Sequence, residues 1–348
     1  MKPEVSVIIP NKDDDYLLPE VVRRLNNGVS QKRFEIIIVD DGSFNPVSKD
    51  LFKEYSNVRI IYKKVNKGVG HSFDMGVKAA LADNLLLLGS DVFVKNRNWI
   101  KDVKRNATEH PKAFTCATCV GVNPSNMMDK DWSERTRRYG ANILFTMTLD
   151  DVPKNSDLRK REGWTDITQC RWIRHKRGEG SYEVPAILGT SYAVSRRFYE
   201  HIGGWGWMKK VDGLTKEESK WQGFRVWGNL EPMISFKSWF AGGSCRVDTD
   251  WETAHVFSRP TNRAVRLDMM YWNRLFTLYT LFPQDQAKAL DNHLLKGKNE
   301  NEARKRIKQN WNAVMAEKRF NDANKVHGVE IFRDKFGYRL QWLPNQDM

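Results

Sequence analysis

Ile36-Ile37-Ile38-Val39-Asp40-Asp41-Gly42-Ser43 decides the class of fold: an unbroken aliphatic run passes directly into two carboxylates and a glycine turn. A strand that is apolar at every position is covered on both faces, as in a parallel sheet flanked by helices. The pattern recurs in Val5-Ser6-Val7-Ile8-Ile9-Pro10 before Asn11, and in Leu85-Leu86-Leu87-Leu88 before Gly89-Ser90-Asp91. Helical stretches at Pro19 to Asn26, Val47 to Tyr55 and Gly70 to Ala82, and a further strand at Val58 to Lys63, fall between or beside these runs. Such alternation predicts an α/β fold with an open, Rossmann-like, mostly parallel central sheet, whose ligands bind beyond the carboxyl ends of the strands. Asn11, Asp40, Asp41 and Asp91 all lie at those ends.

The rest of the chain is consistent with one catalytic domain and an appendage. Its 348 residues can bury a substantial core, and 40% hydrophobic with 29% charged residues describes a globular chain rather than a membrane-embedded one. No apolar run reaches the length of a bilayer span, and the first residues enter a strand without a signal-like segment, so the expected location is cytoplasmic. Four scattered cysteines give no disulfide framework, and Cys116 and Cys119 sit in an apolar run that reads as a buried strand. The formal charge of +14 creates a field that recruits polyanions.

Residues 1–265 are read as the catalytic domain. Within it, 124–182 form an irregular basic insertion in which Arg135, Arg137, Arg138, Arg159, Arg161, Arg171, Arg174 and Arg177 alternate with Trp132, Trp164 and Trp172. Residues 266–348 are read as a basic helical extension: an apolar helix at Met269 to Leu281, one long charged helix at Lys296 to Asn324, and a terminal hairpin from Gly328 to Leu343 that turns at Lys335-Phe336-Gly337.

Candidate site residues follow from the strand ends. The carboxylates Asp40 and Asp41 can accept from a nucleobase N–H or from ribose hydroxyls. Asn66-Lys67-Gly68 turns into a helix whose N–H groups, with the Lys67 ammonium, can face a nucleotide. Pro10, Asn11 and Ser90 complete the expected nucleotide edge. Asp91 stands where a hard divalent cation needs a carboxylate, and His255, in Ala254-His255-Val256-Phe257, brings an imidazole. One carboxylate, one imidazole, diphosphate oxygens and water make an octahedral shell for Mn²⁺ or Mg²⁺.

Through Val7-Ile8-Ile9-Pro10, Val39-Asp40-Asp41-Gly42-Ser43, Asn66-Lys67-Gly68 and the run before Asp91, the first hundred residues resemble glycosyltransferase family 2 of the GT-A fold. Trp227-Gly228 through Ile234-Ser235-Phe236, Trp239, Gly242-Gly243 and His255-Val256-Phe257 resembles the polypeptide N-acetylgalactosaminyltransferases. The resemblance implies a UDP-sugar donor, contact of Asp40 or Asp41 with the uridine, a metal held by Asp91 and His255, and Trp227 and Glu231 at the donor sugar and reaction centre. Three positions depart from the pattern. Gly89 stands where the metal motif has its first Asp. Leu230 falls on the family's Glu and Glu231 on its Asn. Ser258 replaces an Arg.

The second resemblance favours retention of anomeric configuration, whereas a base at Glu231 favours inversion. Charge and interleaved Trp and Arg favour a polyanionic acceptor, with hydroxymethylated-pyrimidine DNA preferred because such a channel can track a backbone and stack an extruded base. Cell-wall or capsular polysaccharide and protein acceptors are the alternatives. A silent sugar-nucleotide or nucleic-acid binding protein is the reading from a different class.

Overall fold

Aliphatic residues on both faces of β1 (Val5–Asn11) and β2 (Phe34–Asp40) place the sheet between two apolar layers, and both strands are buried along their whole length. The structure, a computed structural model, describes residues 2–13, 15–123, 125–126, 132, 135–143, 170–189, 191–208, 213–225, 228–257, 266–293 and 297–338. Between β1 and β2 runs α1 (Leu18–Asn26), and then come β3 (Val58–Tyr62), α2 (Val69–Ala79), β4 (Asn84–Leu88), β5 (Val92–Val94), α3 (Trp99–Glu109) and β6 (Ala113–Val122). Short strands β7 (Arg137–Arg138), β8 (Ala141–Ile143), β9 (Cys170–Trp172) and β10 (Ser181–Glu183) precede β11 (Ser191–Ser195), α4 (Arg196–His201), α5 (Lys216–Ser219), α6 (Leu230–Phe240) and the long β12 (Ser244–Val256). The chain finishes with α7 (Leu267–Leu281), α8 (Gln284–His293), α9 (Lys298–Gln309), α10 (Trp311–Ala323) and α11 (Glu330–Phe336).

The central sheet has the order β10-β12-β6-β11-β4-β1-β2-β3. Pairings β4-β1, β1-β2, β2-β3 and β12-β6 are parallel, and β11 enters antiparallel between β4 and β6. Alternate residues of each strand go to opposite layers. Ile8, Ile37, Leu85 and Leu87 pack under α2, α4, α6 and the C-terminal helices, while Val7, Ile9, Ile36, Ile38, Leu86 and Leu88 pack on α1 and α3. The close approach of α2 to β1 depends on Gly76, where a Cβ would come within 2.3 Å of Ile8 Cγ2.

The C-terminal helices share the first of these cores with α6. Phe236 meets Phe282 at 5.2 Å and Phe332 at 5.5 Å between ring centroids, and the Lys237 ammonium is buried against Glu317 at 2.7 Å.

Three local expectations are corrected. Val47 to Tyr55 holds only a short 3-10 turn, Lys49–Phe52, because Ser48 and the Asp40 carboxylate bind the backbone N–H groups of Asp50 and Val47. The long charged helix is broken at Asn310, whose side-chain amide donates to the carbonyl of Arg306 at 2.8 Å and competes with the helical ladder. Of the expected hairpin from Gly328 to Leu343, residues 339–343 lie outside the described residues, and the described part is the helix α11. Gly337, with φ 68°, ends it in a left-handed cap, and Phe332 is fully buried. Among the described residues no helix is long and apolar enough to cross a membrane.

Candidate functional site

The parallel register sets Asn11 beside Asp40 at the carboxyl end of the sheet. Each oxygen of the Asp40 carboxylate accepts a backbone N–H, from Ser43 and from Val47, both at 2.9 Å. Asp41 accepts from the N–H groups of Lys67 at 2.9 Å and Gly68 at 2.7 Å, and pairs with Lys63. Burial pushes the Asp41 carboxyl above the usual range, against the pull of Lys63 and the two backbone donors. The two aspartates therefore tie the loops 42–47 and 66–68 to the strand ends; Asp41 Oδ1 is filled by Lys67 N–H and Lys63, while Asp41 Oδ2 and the two Asp40 oxygens each accept one backbone N–H. Asn11 Oδ1 is buried there without a hydrogen-bond partner. Pro10 and Ser90 are buried at neighbouring strand ends. Gly68 precedes α2, whose N-terminus has no side-chain cap.

The second half of the site is built by β12, which lies between β6 and β5 with His255 opposite Gly121 on one side and Val92 on the other. The N–H of Val256 donates to the Asp91 carbonyl at 3.1 Å, locking β12 onto the turn that leaves β4. His255 Nε2 comes to 3.3 Å from Asp91 Oδ2, both side chains keeping slight solvent access. Ligands about 2.1 Å from an octahedral ion and at right angles stand about 3 Å apart. The Asp91 and His255 pair fits two adjacent positions of such a shell. Among the described residues no third His, Cys, Asp or Glu joins them, consistent with Gly89 at the position of the absent first Asp.

Glu231 sits in the first turn of α6, after Asn229 in a left-handed conformation with φ 60°. Its carboxylate accepts from the Tyr192 hydroxyl at 3.2 Å, and His255 is close enough for its charge to be felt. Burial raises the pKa of Glu231, and the Tyr192 bond and His255 only partly oppose it. The acidic group that was one position out of register in the sequence is thus held in the first turn of α6 by the Tyr192 hydroxyl.

Sequence reading missed four contributors. Arg138 stacks over Phe257 at 4.5 Å and over Trp172 at 5.5 Å, and Phe257 meets His255 edge-on at 4.2 Å. Arg138 Nη1 is buried without a partner, which leaves a cation for an incoming anion. Tyr192 orients Glu231, and Lys63 offsets Asp41. Asn273, fully buried on α7, accepts from Arg225 N at 2.8 Å and donates to the carbonyls of Arg225 at 2.7 Å and Gly228 at 2.8 Å. It clamps both ends of the segment that carries Trp227. Trp227 itself, with Ser258, Trp164 and most of the basic insertion, lies outside the described residues. Of the insertion, Trp132, Arg138 and Trp172 pack as ring and cation pairs around the sheet edge.

Cys116 and Cys119 are buried free thiols in β6, both pushed up to about 12 by burial, which suits packing and not redox or metal chemistry.

Residues 6–177 match the family model described as glycosyl transferase family 2. In the solved structures, the chain is similar to GalNAc-T7 with UDP, GalNAc and Mn²⁺, with a TM-score of 0.61 at 16% identity over 97% of this chain and 57% of that one. The fold is GT-A. The GT-A likeness extends to S. aureus TarS in complex with UDP-GlcNAc, with a TM-score of 0.50 at 13% identity over 92% and 89% of the two chains. In sequence, polypeptide N-acetylgalactosaminyltransferase 10 of Rattus norvegicus is 23% identical over 263 residues, 74% of this chain. Polypeptide N-acetylgalactosaminyltransferase 4 of Caenorhabditis elegans is 23% identical over 268 residues. The chain spans 38% and 39% of the length of these two relatives. The GT-A core accounts for the mostly parallel sheet, with the C-terminal helices packed against it.

Proposed function

We propose that the chain transfers a sugar from a uridine diphosphate donor to a hydroxyl of a large acceptor. The observation that carries this reading is the approach of His255 to Asp91 at 3.3 Å, just past β4 in the sheet whose strands β1 and β2 end at Asn11 and Asp40. Asp91 and His255 hold Mn²⁺ or Mg²⁺, which when bound supplies Lewis-acid neutralisation of the departing diphosphate. Asn11, Asp40, Asp41, Lys67 and Gly68 hold the nucleotide, with Pro10 and Ser90 forming its floor. Trp227 packs on the donor sugar, and Arg138 adds positive charge beside the leaving group.

In the transfer, the acceptor oxygen forms a bond to the anomeric carbon while the bond from that carbon to the diphosphate oxygen breaks. With retention, the hydroxyl proton passes to the departing diphosphate. The polypeptide-transferase resemblance favours this course. With inversion the proton passes to Glu231, and the raised pKa of that buried carboxyl favours this second reading. Anomer-resolved NMR of the first product decides, because one linkage excludes the other.

Residues 1–265 act as the catalytic unit, 124–182 as its acceptor side and 266–348 as a supporting extension. The net charge of +14 and the Arg and Trp residues of the insertion support a polyanionic acceptor, with hydroxymethylated-pyrimidine DNA as the preferred form. The names of the sequence relatives support a polypeptide acceptor instead. Free cysteines are consistent with work in the cytoplasm.

A panel of UDP-sugars scored for UDP release, with and without Mn²⁺, tests the donor half. No release from any donor overturns the enzyme reading in favour of a binding protein. Transfer to hydroxymethylated duplex that weakens steeply with salt supports DNA, and transfer to peptide or polysaccharide alone rejects it.

A further inference from the structure

Trp207 is the meeting point of two cations that have no anionic partner among the described residues. The Lys67 ammonium lies 5.3 Å from its ring and the Arg225 guanidinium 5.9 Å, while Arg225 also covers Trp221 at 4.5 Å. Among the described residues no carboxylate pairs with either cation: Asp41 binds only the backbone N–H of Lys67, and Asn273 only the backbone of Arg225. The nearby cations are already engaged. Lys63 pairs with Asp41, Arg306 with Asp268 and Glu302, and Lys78 donates to the Trp207 carbonyl. His71 meets Trp207 edge-on at 4.7 Å, and its Nδ1 is buried without a partner. These groups surround the uncapped N-terminus of α2.

Both cations are half-buried, and a partly desolvated cation beside a second like charge gains from an anionic partner. Burial and the neighbouring Arg306 lower the pKa of Arg225 only to about 10, so it stays charged at neutral pH. Burial and four surrounding cations hold His71 down to about 3, so it is neutral there and offers a hydrogen bond without adding repulsion. The indole faces fix the guanidinium plane without consuming its N–H groups, which leaves the fork free for two oxygens of one tetrahedral anion.

We propose that Lys67, His71, Trp207 and Arg225 form a phosphoryl-binding cradle at the start of α2. Arg225 takes two oxygens of a phosphate ester, Lys67 supplies the second charge, and His71 donates to a third oxygen. The phosphate comes either from the diphosphate of the donor or from a phosphodiester of the acceptor. The cradle does not require that sugar be transferred.

The test reads binding on the full chain in EDTA, which silences any metal contribution from Asp91 and His255. Inorganic pyrophosphate is expected to raise the melting temperature above that in chloride at matched ionic strength. Arg225→Gln is expected to weaken pyrophosphate binding at least about tenfold, while Arg225→Lys recovers part of it. Titrations with UDP and with an oligothymidylate locate the source. A loss confined to UDP assigns the cradle to the donor, and a loss confined to the oligonucleotide assigns it to the acceptor. Unchanged affinity of Arg225→Gln for all three probes overturns the proposal. If that variant does not fold, the absence of any pyrophosphate effect on the wild-type chain in EDTA overturns it equally.

Discussion

His255 Nε2 and Asp91 Oδ2 stand 3.3 Å apart, brought together from segments more than 160 residues apart in sequence by the pairing of β12 with β5. Under the proposed metal assignment, replacing either by Ala removes one of its two protein ligands. Asp91→Ala and His255→Ala are expected to lower Mn²⁺-stimulated UDP release at least about 100-fold, with the circular dichroism spectrum retained. Calorimetric Mn²⁺ titration should show the same loss of affinity in both. Full turnover in either variant removes these two residues from the metal assignment.

Glu231 predicts a particular pH profile. Its pKa is raised by burial, so a rate that needs the ionised carboxylate falls as the pH drops through a value above the ordinary 4.5. Glu231→Gln should lower kcat by about 10² to 10⁴ if the carboxylate is the base, and should abolish that acid limb. Tyr192→Phe, which removes one hydrogen bond to the ionised form, should move the limb to higher pH. A Gln variant with unchanged kcat and an intact acid limb leaves Glu231 a structural residue.

Asn273→Ala leaves the N–H of Arg225 and the carbonyls of Arg225 and Gly228 without their buried partner. A stability loss of about 1–3 kcal/mol is expected in urea unfolding. The loss in kcat/KM should exceed what the unfolded fraction explains, because the released segment carries Trp227. Activity that follows the folded fraction alone separates stability from positioning.

Asp102 supplies a stability signature away from the site. Burial raises its carboxyl from 3.8 to about 6, with Asp248 adding repulsion and Arg105 opposing. Between those values the folded chain holds a proton that the unfolded chain has lost, so stability falls as the pH rises through that window. Above about pH 6 the whole cost is present. Asp102→Asn lacks this dependence and should gain on wild type from pH 4 to 7 by on the order of 2 kcal/mol. A difference in melting temperature that is flat with pH contradicts the assignment.

The strand ends were legible because short apolar runs leading to Asn11, Asp40 and Asp91 have few folds open to them. Their register follows from sheet pairing, and covalent order already hints at it. Arg138, Tyr192 and Asn273 were not legible as site residues, since each acts through a partner distant in sequence: Phe257, Glu231 and Gly228. Glu231 shows the reverse case. Its register looked wrong on the line of sequence, yet the left-handed turn at Asn229 aims α6 so that the carboxylate reaches Tyr192. The terminal segment misled because glycine after Lys-Phe marks both a hairpin turn and a helix cap. The tie was broken by Phe332 packing on Phe236 and Phe240, which no local pattern contains.

The clamp from Asn273 imposes an order of assembly on the chain. A chain made from its N-terminus can assemble the strands that bear Asp40 and Asp91 early in synthesis, but the segment from Arg225 to Gly228 has no anchor until α7 has left the ribosome. Nascent chains stalled before α7 would carry the strand ends of Asp40 and Asp91 with the stretch from Arg225 to Gly228 still unanchored, so one part of the scaffold waits on Asn273, more than forty residues further along the chain.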